Sequence, residues 1–141
     1  MNTKLNTSKM ETIKFRGKKA VTGDWVYGSL ISSNKGNHCI VQQSDESVWN
    51  DGQIKGWCFG VKRESVGQFT GLSDKNGKDI YKGDILKGSD GKLMIIGWSK
   101  KFASFVLNRD GWAFSHWFGE SCNPEDCEVI GNIHDNPELL K

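Results

Sequence analysis

Lys92-Leu93-Met94-Ile95-Ile96-Gly97-Trp98 is the stretch on which the fold turns. It is a short apolar run of strand length, opened by the turn pair Asp90-Gly91. Phe102 to Leu107 follows as a second run, Asp110-Gly111 marks another turn, and Trp112-Ala113-Phe114 returns. Upstream, Gly83-Asp84 feeds a third run, Ile85-Leu86-Lys87. Downstream, Cys127-Glu128-Val129-Ile130-Gly131-Asn132-Ile133 closes the set. Short strands at roughly 8–12-residue spacing, punctuated by glycine turns, predict a small barrel or curled sheet.

The first half carries the same pattern less regularly. Thr12 to Arg16 alternates, with Ile13 and Phe15 on one face. Trp25 to Ile31 and His38 to Gln42 read as strands, with Gly23-Asp24 and the polar loop Ser32 to Asn37 between elements. Residues 44–56, around Trp49, read as a long polar loop, and Trp57-Cys58-Phe59-Gly60-Val61 pairs back. Ser65 to Gln68 is expected to form one helical turn capped by Glu64 or Ser65. Asn136-Pro137-Glu138-Leu139-Leu140 is expected to form a short terminal turn, with Pro at the first helical position. The fold class is therefore mainly β with little helix: an N-terminal antiparallel sheet plus a C-terminal small barrel-like, SH3-like sheet, the last by analogy. The expected divisions are a disordered leader at 1–11, an N-terminal β region with a connector at 12–78, and the C-terminal region at 79–141.

Composition agrees. Seventeen Gly among 141 residues exceeds the usual share of roughly 7%. With only two Pro and no fixed glycine period, collagen-like and Pro-rich chains are excluded. An apolar share of 36% is enough to build a core. The net charge is +2, too mild to argue for nucleic acid alone. The basic excess lies early: residues 1–66 hold ten Lys and Arg against six Asp and Glu, whereas 67–141 hold nine against eleven. Met1 to Lys14 is polar, without the apolar segment of a secretory signal, and no apolar run approaches the roughly 18 residues that cross a bilayer. A cytoplasmic protein of a bacterial cell, with no membrane partner, is expected. Its four cysteines, Cys39, Cys58, Cys122 and Cys127, are then thiols.

Several blocks have a recognisable order. Phe15-Arg16-Gly17-Lys18 precedes Gly23-Asp24-Trp25-Val26-Tyr27-Gly28. The middle contains Val66-Gly67-Gln68-Phe69-Thr70-Gly71-Leu72, Asp74-Lys75-Asn76-Gly77 and Ile80-Tyr81-Lys82-Gly83-Asp84-Ile85. The end contains Glu128-Val129-Ile130-Gly131-Asn132-Ile133 and Asn136-Pro137-Glu138-Leu139-Leu140. In this order and spacing the chain resembles the YopX family of phage and prophage proteins over residues 13–140. The resemblance implies a mostly-β protein encoded on a phage or prophage that associates into homo-oligomers. It implies no reaction and supplies no catalytic residue.

Two surfaces follow as candidates. Glycines around Gln68 and Thr70 order that segment, so Gln68, Thr70, Asp74, Tyr81 and Asp84 are expected to share one binding surface. Trp98, Lys100, Lys101, Arg109 and Trp112 interleave aromatic and basic side chains, the pattern with which small β-barrels stack and neutralise nucleic acid. The same aromatics equally suit a core or an oligomer interface.

Other chemistry finds less footing. Cys122 and Cys127 stand in a loose C-x₄-C, and Cys39 and Cys58 sit among apolar neighbours, which is not the tight doubled spacing of a zinc site. His38, His116 and His134 are scattered, and no Gly-x-Ser-x-Gly, P-loop or G-x-G-x-x-G occurs. No cofactor and no metal is expected. The leading expectation is a self-associating, non-enzymatic phage accessory protein that binds a host or phage protein. A nucleic-acid-binding small β-barrel protein is the alternative, and a small hydrolase or nuclease-like enzyme stands behind it.

Overall fold

The computed structural model describes residues 11–42, 49–50, 53–54, 58–109, 116–119 and 122–141, with backbone alone at 49–50 and 53–54. Its strands are β1 Phe15–Lys18, β2 Trp25–Ser32, β3 His38–Gln42, β4 Trp49–Asn50, β5 Gln53–Ile54, β6 Cys58–Val61, β7 Gly67–Ser73, β8 Asp79–Tyr81, β9 Asp84–Lys87, β10 Leu93–Ser99, β11 Ser104–Asn108, β12 His116–Trp117 and β13 Glu128–Asn132. Helical structure among the described residues is limited to three short 3₁₀ turns, Arg63–Ser65, Pro124–Asp126 and Pro137–Leu140. The mainly-β reading holds. Among the described residues no helix is long and apolar enough to cross a membrane.

The first sheet has six strands in the order β6-β3-β2-β1-β7-β8. Every pairing in it is antiparallel. Alternation along the strands sends Val26, Ile40 and Val61 to one face, where Phe15, Leu30, Phe59 and Val66 pack on them. The sheet curls over this core: Lys19 bridges Val61, and the Lys62 N–H donates to the Lys18 carbonyl at 2.9 Å. Gly28 lets β2 follow the curl. A Cβ there would lie 2.0 Å from the Val41 carbonyl oxygen, so no larger residue fits.

The segment read as a connector at 64–78 supplies β7, which joins β1 with Phe15 opposite Gln68. β8, from just beyond position 78, completes that sheet's edge. The expected helical turn forms slightly earlier, at Arg63–Ser65, leaving Gly67 and Gln68 to the strand. The polar stretch 44–56 includes a two-stranded ribbon, β4 with β5.

The second sheet has five strands in the order β12-β11-β10-β9-β13, all antiparallel. Among the described residues the anticipated barrel does not close: the sheet is open, with β12 and β13 at opposite edges. Its core face is capped from outside, which removes the need to close on itself. Leu86, Met94, Ile96, Leu107, Cys127 and Val129 form that face, and Ile80 of the first sheet inserts among them. Each fully buried aliphatic side chain of this kind contributes roughly 1.5–3 kcal/mol. The core thus ties the two sheets together. Trp112-Ala113-Phe114, read as a returning strand, lies outside the described residues.

Candidate functional site

The junction between the sheets is polar where it is not packed by Ile80. On β1 and β2, Arg16 stands opposite Tyr27 and Lys18 opposite Trp25. Period-two alternation puts all four on the face away from Val26. Arg16 Nη2 lies 2.7 Å from Asp84 Oδ1, and the two side chains are only 7% and 2% exposed. The contact is an ion pair rather than an aligned hydrogen bond, and Arg16 Nε has no acceptor. The other Asp84 oxygen accepts the Tyr81 N–H at 2.7 Å. Burial pushes the Asp84 carboxyl above the ordinary carboxylate range, with Arg16 and the Tyr81 N–H opposing that push.

Aromatic rings enclose the guanidinium. Its central carbon is 4.7 Å from the Trp25 ring centre and 4.9 Å from that of Tyr81. Tyr27 and Phe69 both pack on Tyr81, with ring centres 5.6 Å apart. Burial pushes the Tyr81 hydroxyl up to about 12. Gly83, at φ 93°, makes the turn from β8 into β9 that brings Asp84 under Arg16.

The loop after β13 forms the far wall. The Asn132 side-chain oxygen accepts the His134 and Asp135 N–H groups, both at 2.9 Å, folding the loop back on itself. Asp135 then accepts the Trp25 indole N–H at 2.7 Å and pairs with Lys18. Lys18 and the Trp25 indole pull the Asp135 carboxyl down to about 2. His134 packs edge-on against Trp25, and burial holds its pKa below the ordinary value. Arg16, Trp25, Tyr27, Asp84, Asn132 and Asn136 line the resulting cleft of about 340 Å³.

The five residues expected to share one surface are distributed differently. Tyr81 and Asp84 are buried in the junction. Asp74 is buried as a clamp: Oδ1 accepts the Asn76 and Lys78 N–H groups, and Oδ2 accepts the Val129 N–H, all at 2.9 Å. Burial alone would raise its pKa, but these three N–H groups hold it below the ordinary range. Thr70 is half-buried, donating its hydroxyl to the Ile80 carbonyl at 2.8 Å. Gln68 is half-buried elsewhere, in a groove of about 250 Å³ with Phe15, Val66, Lys82, Trp98 and Phe105.

The aromatic and basic set is also divided. Trp98 packs edge-on against Phe105, with ring centres 4.9 Å apart. Lys100 and Lys101 are exposed at the β10–β11 hairpin tip, where the Lys101 ammonium sits 5.3 Å from the Phe102 ring centre. Arg109 instead pairs with Asp90 at 3.0 Å and lines a different groove, with Leu93, Ile95 and Leu140. Trp112 lies outside the described residues.

Arg16 and Trp25 stand in strands and in family blocks of the sequence without being marked as site residues, and Asp135 carries no sequence signal. The signal for the first two was present in the period-two spacing of Arg16 with Lys18 and Trp25 with Tyr27. Among the described residues no three His, Cys, Asp or Glu side chains gather as a metal site.

The sequence profile of YopX proteins matches residues 14–141. The fold is similar to the crystal structure of protein EF1440 from Enterococcus faecalis, at 20% identity and a TM-score of 0.56, covering 94% of this chain and 100% of that one. Among curated proteins nothing matches the chain.

Proposed function

The chain belongs to the YopX protein family, and from that membership we propose that it is a self-associating, non-enzymatic accessory protein of a phage or prophage, working in the bacterial cytoplasm by binding a protein partner. The observation that carries the proposal is the aromatic end of the second sheet. Phe102 is 56% exposed at the hairpin tip and packs edge-on against the exposed Trp117 of edge strand β12. Trp98 is exposed as well, at the end of β10 but on the other face of the sheet, since Gly97 and not Trp98 stands in register with Val106 and Trp117. Large aromatic side chains left in water at one end of a sheet are characteristic of surfaces that another chain covers.

Light scattering behind gel filtration tests this. The expected result is an oligomer that Phe102→Arg shifts toward monomer while circular dichroism is unchanged. A strict monomer at high micromolar concentration overturns it.

A second reading rests on the same tip. Lys100 and Lys101 beside Trp98 and Phe102 suit a nucleic-acid backbone with stacked bases. Retention on single- or double-stranded DNA at low salt, lost in the Lys100→Ala, Lys101→Ala, Trp98→Ala variant, favours it. Retention unchanged by those substitutions removes it from this surface.

A further inference from the structure

All four cysteines are gathered into two thiol pairs, one in the first sheet and one around the turn that precedes β13. Cys39 and Cys58 are neighbours across β3 and β6, and Cys39 is the main cause that raises the Cys58 thiol to about 11. Cys122 and Cys127 meet with their sulfurs 2.9 Å apart. The two pairs differ in how they are held. Cys58 stands opposite Val41, so Cys39 is its diagonal neighbour and not its direct partner. Diagonal neighbours in an antiparallel ladder are roughly 7–8 Å apart, their Cβ atoms somewhat less, whereas a disulfide brings Cβ atoms to about 3.5–4.5 Å.

The second pair is held by a local turn. The Asn123 side chain caps Pro124–Asp126 by accepting the Glu125 N–H at 3.0 Å, and the Asp126 N–H donates to the Asn123 carbonyl at 3.0 Å. The Cys127 N–H then donates to the Pro124 carbonyl at 3.1 Å, closing the turn with the two thiols face to face. Both thiols also point at one acceptor, the Asn123 carbonyl, at 3.9 Å from Cys122 and 3.5 Å from Cys127. The C-x₄-C that is loose for zinc is therefore compact for sulfur. The turn is anchored beyond itself, because the Cys127 carbonyl accepts the Lys75 N–H at 3.0 Å.

We propose that Cys122 and Cys127 are a thiol–disulfide site: a dithiol that a low-molecular-weight disulfide, such as glutathione disulfide, converts to an intramolecular bond. Cys122 is the entry thiol, being half-buried where Cys127 is fully buried. Its thiolate attacks one sulfur of glutathione disulfide and releases one glutathione thiolate. The Cys127 thiolate then attacks the Cys122 sulfur of the mixed disulfide and releases the second. The protein loses two protons and two electrons, and one glutathione disulfide becomes two glutathione thiols. Burial and the neighbouring thiol push the Cys127 thiol up to about 12, so the second step accelerates as pH rises. In a reducing compartment the pair stands as thiols, and the bond marks exposure to an oxidant. Neither self-association nor the identity of a partner enters the proposal.

The test uses the full-length protein carrying Cys39→Ser and Cys58→Ser, treated with glutathione disulfide. Both remaining thiols are expected to disappear from a thiol titration. The mass should fall by about 2 Da, one hydrogen lost from each thiol, and a Cys122–Cys127 linked peptide should appear under non-reducing digestion. A persistent glutathione adduct on Cys122, or two thiols that survive in the folded protein and oxidise only in urea, overturns the proposal. The wild-type protein gives a second reading of the same question, independent of that variant's folding. Linkage of Cys122 to Cys127 with Cys39 unlinked to Cys58 is expected, and any other pairing overturns it.

Discussion

Arg16 and Asp84 form the buried ion pair that joins the two sheets, Nη2 to Oδ1 at 2.7 Å, one residue on β1 and the other opening β9. Removing one partner strands a charge on a side chain that is almost wholly out of solvent. Arg16→Ala and Asp84→Ala are each expected to cost about 3–5 kcal/mol, measured by urea unfolding. Arg16→Met with Asp84→Leu should recover much of that loss, because neither desolvated charge then remains. A double variant as unstable as the sum of the single ones would show that the pair acts through packing alone.

Asp74 carries three backbone N–H groups, two in its own turn and one on β13. Asp74→Ala leaves all three without their acceptor, at roughly 1–3 kcal/mol for each that stays buried. The expected signature is local as well as global: the Asn76, Lys78 and Val129 amides should all exchange faster with deuterium. Faster exchange in the turn with Val129 unchanged would deny the clamp between sheets.

Asp135 ionises well below its unfolded value, from 3.8 down to about 2. A carboxyl depressed by folding adds stability above its unfolded pKa and loses it as pH falls toward its folded pKa. Wild-type stability should therefore drop between pH 4 and pH 2 more steeply than that of Asp135→Asn. The gap between the two proteins should be widest above pH 4 and narrow as the pH falls. Parallel curves would exclude the tie to Lys18 and Trp25 as its source.

At Gly28 the backbone of β2 leaves no room for a side chain against β3. A Cβ at that position would sit 2.0 Å from the Val41 carbonyl oxygen, and backbone cannot move aside without breaking the ladder. Gly28→Ala is expected to lower stability by about 3 kcal/mol or more, read from the thermal or urea midpoint. Gly77→Ala is a useful contrast, since a Cβ there meets nothing within 4 Å and only the positive φ of 78° opposes it. Equal losses at the two positions would contradict the close approach.

The strands and turns were legible because they are local. Alternation in Leu93 to Trp98 and the Asp-Gly and Asn-Gly pairs depend only on neighbouring residues, so β2, β3, β10, β11 and β13 fall where the pattern predicts. The candidate site was legible only in fragments. Tyr81 and Asp84 were selected as polar residues beside ordered glycines, which led to the expectation of an exposed surface.

Closure of the second sheet, burial of Arg16 and the pairing of the thiols could not be read the same way. Each is decided by which distant segment arrives on a given face. Ile80 capping the β9–β11 face removes the need for a barrel. The Asn132 loop folds over Trp25 and places Asp135 beside Lys18. Sequence alone determined a mainly-β YopX protein. Tertiary structure decided which polar residues left water, because a charge is buried only where the fold brings its partner.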